Sequence, residues 1–232
     1  QNNAQGACDV GGLPNVFPGY QPVSDEAVRQ KFAAAWGVPV ETFGAKPGLT
    51  VTEMLHGVLD GRIKAIYVMG ENPMLSDPNL THVAEALAAV EFLVVQDLFP
   101  NETAQMADVV LPAAGFAEKL GTFTSTERRV QMIRPAVPSP GAARPDWQII
   151  LDVANRLGAG WQYDGPAGIF AELASVTPQY AGMSFARLET AGLQWPCPTA
   201  DHPGTPVLHA SKFTRGKGLF CALDYRPPAE LP

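Results

Sequence analysis

Two short apolar runs separated by one helical segment constrain this chain most. Residues 65–69 (Ala-Ile-Tyr-Val-Met) and 92–95 (Phe-Leu-Val-Val) read as buried parallel strands. Between them, residues 79–90 place Leu80, Val83, Ala84 and Leu87 on one face, as a crossover helix does. The strands run into two loops, Gly70-Glu71-Asn72-Pro73 and Gln96-Asp97 onward to Pro112. Both loops then share the carboxyl edge of one sheet, where open α/β folds bind ligands.

The pattern extends in both directions. Asn101 to Ala107 predicts a short helix, and Val109-Val110-Leu111 a third strand ended by Pro112, so the order β-α-β-α-β implies a parallel sheet. Upstream, a helix starting at Ser24 carries Asp25 and Glu26 in its first turn, with Val28, Phe32 and Ala35 on one face and Gly37 as its stop. Thr50 and Glu53 form a capping-box pair ahead of a short helix that Gly61 closes. Downstream, residues 122–133 read as extended chain. Residues 146–157 read as a helix facing a sheet with Trp147, Ile150, Leu151, Ala154 and Leu157, and residues 166–175 as a further amphipathic segment.

Composition separates this middle from its ends. The 22 glycines and 22 prolines crowd residues 11–22, 135–145 and 195–232, so irregular arms are expected, with residues 1–21 extended and rich in turns. A net charge of −7 without any Lys/Arg run argues against a nucleic-acid or anionic-membrane partner. No apolar run approaches the roughly 18 residues of a membrane span and no signal peptide is evident, so a soluble, cytoplasmic location is expected. Cys8, Cys197 and Cys221 lie far apart with no C-x-x-C spacing, and His56, His82, His202 and His209 are equally scattered. Free thiols and no metal site follow.

The chemistry-bearing residues gather at the loops. Gly70 ends a strand, where a missing side chain permits positive φ and lets backbone N–H groups approach a pyrophosphate. It lacks a G-x-G-x-x-G context, so an ordinary strand-ending glycine is the competing reading. Asp97 stands where nucleotide-binding βαβ units place the carboxylate that accepts ribose hydroxyls. A carboxylate also accepts the N1–H and N2–H₂ edge of guanine, which adenine does not offer. Helix capping is the alternative for both Glu71 and Asp97. Thr122, Thr124, Ser125 and Thr126 put hydroxyls around Gly121, whereas Arg128 and Arg129 read as a solvated or salt-bridged face. There is no G-x-S-x-G elbow, H-E-x-x-H motif, Walker loop or nucleophile with an adjacent base, so the chain reads as a binder more than a catalyst.

These two loops, with Glu118-Lys119-Leu120-Gly121-Thr122-Phe123-Thr124-Ser125-Thr126-Glu127-Arg128-Arg129-Val130-Gln131, resemble the molybdopterin oxidoreductase superfamily. Gln1-Asn2-Asn3-Ala4-Gln5-Gly6-Ala7-Cys8-Asp9, continuing through Leu13 to Tyr20, resembles formate dehydrogenase catalytic subunits in particular. Gly192-Leu193-Gln194-Trp195-Pro196-Cys197-Pro198 and the tail from Leu219-Phe220 to Tyr225-Arg226-Pro227-Pro228 agree. Leu120 and Ser125 depart from the usual Glu and Asn at those positions.

The resemblance implies an α/β fold: a parallel-sheet, Rossmann-like dinucleotide-binding domain with irregular N- and C-terminal arms. Residues 1–23 would lead in from an upstream domain, 24–180 would grip one of two molybdopterin guanine dinucleotides, and the proline-rich 181–232 would lead to a capping barrel. Gly70, Glu71, Asn72, Gln96, Asp97 and Thr103 would contact the nucleotide side, Gln1 and Gly6 the pterin end, with Gly121 and Thr122 alongside. The parent would be several times larger and would oxidise formate to carbon dioxide, or the reverse, at a molybdenum or tungsten bis(molybdopterin guanine dinucleotide) centre. A 4Fe-4S cluster would sit in the parent outside this segment, with iron–sulfur or NAD-reducing electron-transfer subunits as partners. The segment alone would be inactive. An assimilatory nitrate reductase and the large iron–sulfur subunit of respiratory complex I are the rival resemblances, and residues 1–20 weigh against the first.

Overall fold

The computed structural model describes residues 3–213 and 216–227. The amino-terminal stretch is more ordered than its composition suggests. Helix α1 (Ala4–Asp9) is followed by a small hairpin of β1 (Val16–Phe17) and β2 (Gln21–Pro22). A helix this short is marginal on propensity alone, and here both of its ends are tied to distant chain. Helix α2 (Glu26–Trp36) is capped by the Asp25 carboxylate, which accepts the Ala27 N–H at 2.9 Å, and ends at Gly37 with φ +64°. Its buried residues are Phe32 and Ala33 rather than the expected Ala35, because Phe32 stacks on Phe17 with ring centroids 4.5 Å apart.

The parallel unit follows. Helix α3 (Val51–Leu59) starts where the Glu53 carboxylate accepts both the backbone N–H and the hydroxyl of Thr50 at 2.8 Å. Those bonds hold the Glu53 carboxyl below its ordinary range. Then come β3 (Ala65–Met69), α4 (Pro73–Ser76), α5 (Leu80–Ala89), β4 (Phe92–Asp97), α6 (Glu102–Gln105) and β5 (Val109–Pro112). The strands pair β3-β4-β5, all parallel, as the βαβ reading requires. Val68, Leu93 and Val95 join Leu55, Val58, Val83, Ala86, Leu87 and Ala104 in one core. Leu80 is exposed and Ala86 takes the inward place, a rotation of the face by part of a turn. On the opposite face of the sheet, Tyr67, Met69 and Phe92 are exposed.

Residues 122–133 are not a single extended run beside the parallel sheet. They form a second, antiparallel sheet, in which β6 (Gly121–Thr124) pairs with β7 (Arg129–Ile133). Helices α7 (Asp146–Arg156), α8 (Pro166–Val176) and α9 (Phe185–Leu188) lead to β8 (Leu193–Gln194), which completes the order β6-β7-β8. In α7 the buried residue is Ile149. Trp147 is half-buried and Leu157 exposed, since only the first turns of α7 meet the body of the protein. A second core gathers Val130, Phe170, Ala174, Tyr180, Met183, Leu188 and Cys197. It spans position 181, so chain on both sides of that position packs together. Arg128 is not a solvated charge: its guanidinium donates to the carbonyls of Trp195, Thr205 and Pro206. Arg129 pairs with Glu127 as expected of a salt-bridged face. No described helix is long and apolar enough to cross a membrane.

Candidate functional site

The carboxyl edge of the parallel sheet brings six of the predicted residues together. Gly70 has φ +63°, and no atom stands within 4 Å of where a Cβ would be, so the turn opens onto free space. Its N–H donates to the Gln96 carbonyl at 2.9 Å, which ties the first loop to the end of β4. Asn72 links the two loops through its side chain. Its Nδ2 donates to the Glu102 carboxylate at 2.7 Å, and its Oδ1 accepts the hydroxyl of Thr103 at 2.7 Å and the Thr103 N–H at 3.3 Å. The Asn72 bond holds the Glu102 carboxyl below its ordinary range. Thr103 is buried, and its hydroxyl accepts the Met74 N–H at 3.2 Å. These groups therefore set the loops against each other before any ligand is considered.

The two acids differ. Asp97 shapes its own loop, accepting the Leu98 N–H at 2.6 Å on one oxygen and Asn101 Nδ2 at 2.7 Å on the other. Asn101 in turn caps α6 through the Ala104 N–H. Each carboxylate oxygen accepts two hydrogen bonds, so Asp97 keeps capacity for a ligand donor. Glu71 stands half-exposed at the same edge and accepts the Ser76 hydroxyl at 2.9 Å.

Gln96 faces the other way. It is fully buried, donates from Nε2 to Asp146 at 2.7 Å and accepts the Tyr67 hydroxyl. The second oxygen of Asp146 pairs with Lys119. Burial, and then the Asp146 charge, raise the Tyr67 hydroxyl above its ordinary range. This chain of polar groups, buried only at Gln96, connects the sheet edge to α7 and to the segment ahead of β6. Tyr67, Lys119 and Asp146 were missed in the sequence because no local spacing relates residues 67, 96, 119 and 146.

The remaining predicted residues assemble elsewhere, around β6. Gly121 and Thr122 lie on that strand, and Asn3, the residue preceding α1, accepts the Thr124 N–H at 2.8 Å through its side chain. Gly6 sits inside α1, where a Cβ would overlap the Asn3 side chain. Gln1 lies outside the described residues. Sequence reasoning also missed Asp9, a carboxylate only 1% exposed that ties α1 to Tyr20, Tyr180 and Trp195. Burial and the bond to Asp9 raise the hydroxyls of Tyr20 and Tyr180 far above the ordinary tyrosine range. Among the described residues, no three His, Cys, Asp or Glu side chains are placed to hold a metal ion.

A glycine turn with open space, two half-exposed carboxylates and two pre-locked loops at one strand edge suit a nucleotide diphosphate. A family model for molybdopterin oxidoreductases matches residues 1–156. The chain belongs to the molybdopterin oxidoreductase family. Within that family it is 50% identical, over its whole length, to the F420-dependent formate dehydrogenase 1 subunit alpha of Methanococcus maripaludis, of which it covers 34%. It is 51% identical to the corresponding alpha subunit of Methanocaldococcus jannaschii, again over 100% of this chain and 34% of the relative. Formate dehydrogenase H of Escherichia coli is 40% identical over 99% of the chain, which covers 33% of that protein. The chain thus spans about a third of the length of these relatives. Among solved structures, the acetylene hydratase of Pelobacter acetylenicus superposes with a TM-score of 0.53 at 18% identity, over 73% of this chain and 24% of that one, and so bears on the fold alone.

Proposed function

We propose that this chain is the molybdopterin guanine dinucleotide-binding portion of a formate dehydrogenase catalytic subunit. The observation that carries the proposal is the pair of locked loops at the sheet edge, in a chain about half identical to formate dehydrogenase alpha subunits throughout. Gly70 lets backbone approach the pyrophosphate, and Glu71 and Asp97 accept hydrogen bonds from ribose or guanine. Asn72 and Thr103 tie the two loops together so that both face the nucleotide, and Gln96 anchors the edge from beneath. Gly6, Gly121 and Thr122 face the pterin end, with Gln1 ahead of them. The molybdenum or tungsten centre would supply a two-electron acceptor for the oxidation of formate to carbon dioxide and a proton, and this chain's part is to bind and orient the cofactor. The acceptors of those electrons would be iron–sulfur clusters outside this segment and, beyond them, electron-transfer subunits, in a cytoplasmic protein.

The full-length protein tests this through three measurements: molybdenum and tungsten content, the nucleotide released by hydrolysis of the cofactor, and formate-dependent dye reduction. Metal, guanosine monophosphate and formate oxidation are expected together. A metal-free protein inert toward formate would overturn the reading, and a cytidine nucleotide would overturn the guanine form. Asp97→Ala is expected to lower cofactor content several-fold. Unchanged content and activity would remove Asp97 from the site.

A further inference from the structure

The carboxylate of Asp9 collects four side-chain donors from four places in the chain. Oδ1 accepts Gln5 Nε2 and the Tyr20 hydroxyl, both at 2.8 Å. Oδ2 accepts the Tyr180 hydroxyl at 2.6 Å and the Trp195 indole N–H at 2.7 Å. Both oxygens are thereby filled, and an amide in this place would turn an N–H₂ toward donors. An amide here keeps an acceptor for the indole N–H and Tyr180 only if its N–H₂ faces Gln5 and Tyr20, whose bonds to position 9 must then both reverse.

The same bonds close a circuit. The Tyr180 hydroxyl also lies 3.3 Å from the Thr124 hydroxyl, and the Thr124 N–H donates to the Asn3 side chain. Asn3 and Asp9 stand at opposite ends of α1. Helix α1 is therefore pinned to β6 at its start and to Tyr180 and Trp195 at its end, with Gly6 between, closed over by Asn3. A fully buried acid that makes no bond to the nucleotide loops fixes where α1 lies against the strand carrying Gly121 and Thr122.

We propose that Asp9 is a positioning residue for the pterin side of the cofactor cleft, acting through α1 and β6. The proposal rests on the formate dehydrogenase reading above. It is tested in the full-length, metal-loaded protein with Asp9→Ala, which removes all four acceptor bonds, and with the conservative Asp9→Asn, which can keep those to Tyr180 and Trp195. The readouts are kcat with formate per bound metal, KM for formate, the electron paramagnetic resonance g values of the pentavalent metal, and the thermal midpoint. For Asp9→Ala, kcat per bound metal is expected to fall at least tenfold with shifted g values, and Asp9→Asn to recover much of both. If Asp9→Ala yields no loaded protein, Tyr180→Phe decides, since it breaks the circuit while leaving Asp9 three donors. A several-fold loss of kcat per bound metal is expected there. Full kcat per bound metal and unchanged g values, with only stability or metal content reduced, would overturn the positioning role. A wild-type protein without metal or formate activity would instead sink the function on which it rests, and the cleft would have nothing to position.

Discussion

The parallel sheet and the antiparallel sheet hold together by different means. Around β3-β4-β5 the middle is apolar and the polar groups stand at the edge, where Asn72, Thr103 and Asp97 brace the loops. Around β6-β7-β8 a charged group lies in the interior, and four donors reach it from positions as far apart as Gln5 and Trp195. The first arrangement tolerates change at its rim and fails when its core is hollowed. The second depends on the pairing of a few polar atoms.

Hollowing the apolar side should give the largest effect. Leu93 is buried on the central strand β4, and Leu93→Ala is expected to cost about 2–5 kcal/mol through lost burial and the cavity left behind. Urea denaturation of the full-length protein measures it. A cost below about 1 kcal/mol would mean that the sheet collapses around the gap and is less tightly packed than described.

The polar side should respond next, and to pH as well as to mutation. Tyr180→Phe removes one donor from Asp9 and the partner of the Thr124 hydroxyl, for a cost of about 1–3 kcal/mol. Tyr20 and Tyr180 are both raised above the ordinary tyrosine value of about 10, first by burial and then by Asp9. Above that pH the unfolded chain releases these protons and the folded chain keeps them. The stability they contribute is therefore complete below pH about 10 and lost as pH rises beyond it. Alkaline titration at 295 nm is expected to show Tyr20 and Tyr180 among the late-ionising tyrosines, and one fewer of these in Tyr180→Phe. Free titration of every tyrosine near pH 10 would place Asp9 in contact with solvent.

How legible each side was follows from the same contrast. Strands β3 and β4 and helix α5 announce themselves through periodicity within about 30 residues, and the positions of the two edge loops follow from where those strands end. Helix α1 was read as extended chain because nothing local favours it, while the contacts that hold it, Tyr180 and Trp195, are 171 and 186 residues from Asp9. The hairpin of β6 and β7 was hidden because its strands alternate polar and apolar only briefly. Gly121 and Thr122 thus lie on a strand of the antiparallel sheet rather than beside the two loops of the parallel one. The sequence puts Gln96 at the loop edge but not in the interior, since its partner Asp146 is 50 residues on.

Two glycines named together as cofactor residues sharpen the contrast further. At Gly6 an added methyl overlaps the Asn3 side chain and breaks its bond to Thr124. Leaving that N–H unpaired costs about 1–3 kcal/mol, and the helix preference for alanine returns up to about 1. Gly6→Ala is thus expected to destabilise by about 1 kcal/mol and to weaken the hold of α1 on β6, read by hydrogen exchange at Thr124. An unchanged exchange rate would show that Asn3 moves aside freely.

Gly70 reverses that logic. Its surroundings are empty, so Gly70→Ala meets no atom and pays only for the left-handed backbone, roughly 1–2 kcal/mol. Reduced freedom of the unfolded chain offsets about 0.4–1 kcal/mol of that. The net loss of stability should be the smallest of the series. The loss of cofactor should not be small, because the methyl group stands in the one place where the turn was open. Thermal midpoint and metal content measured on the same full-length variant separate the two effects. A midpoint within a few degrees of wild type with several-fold less metal would mark Gly70 as a residue kept for what approaches it, whereas full metal content would reduce it to an ordinary end of a strand.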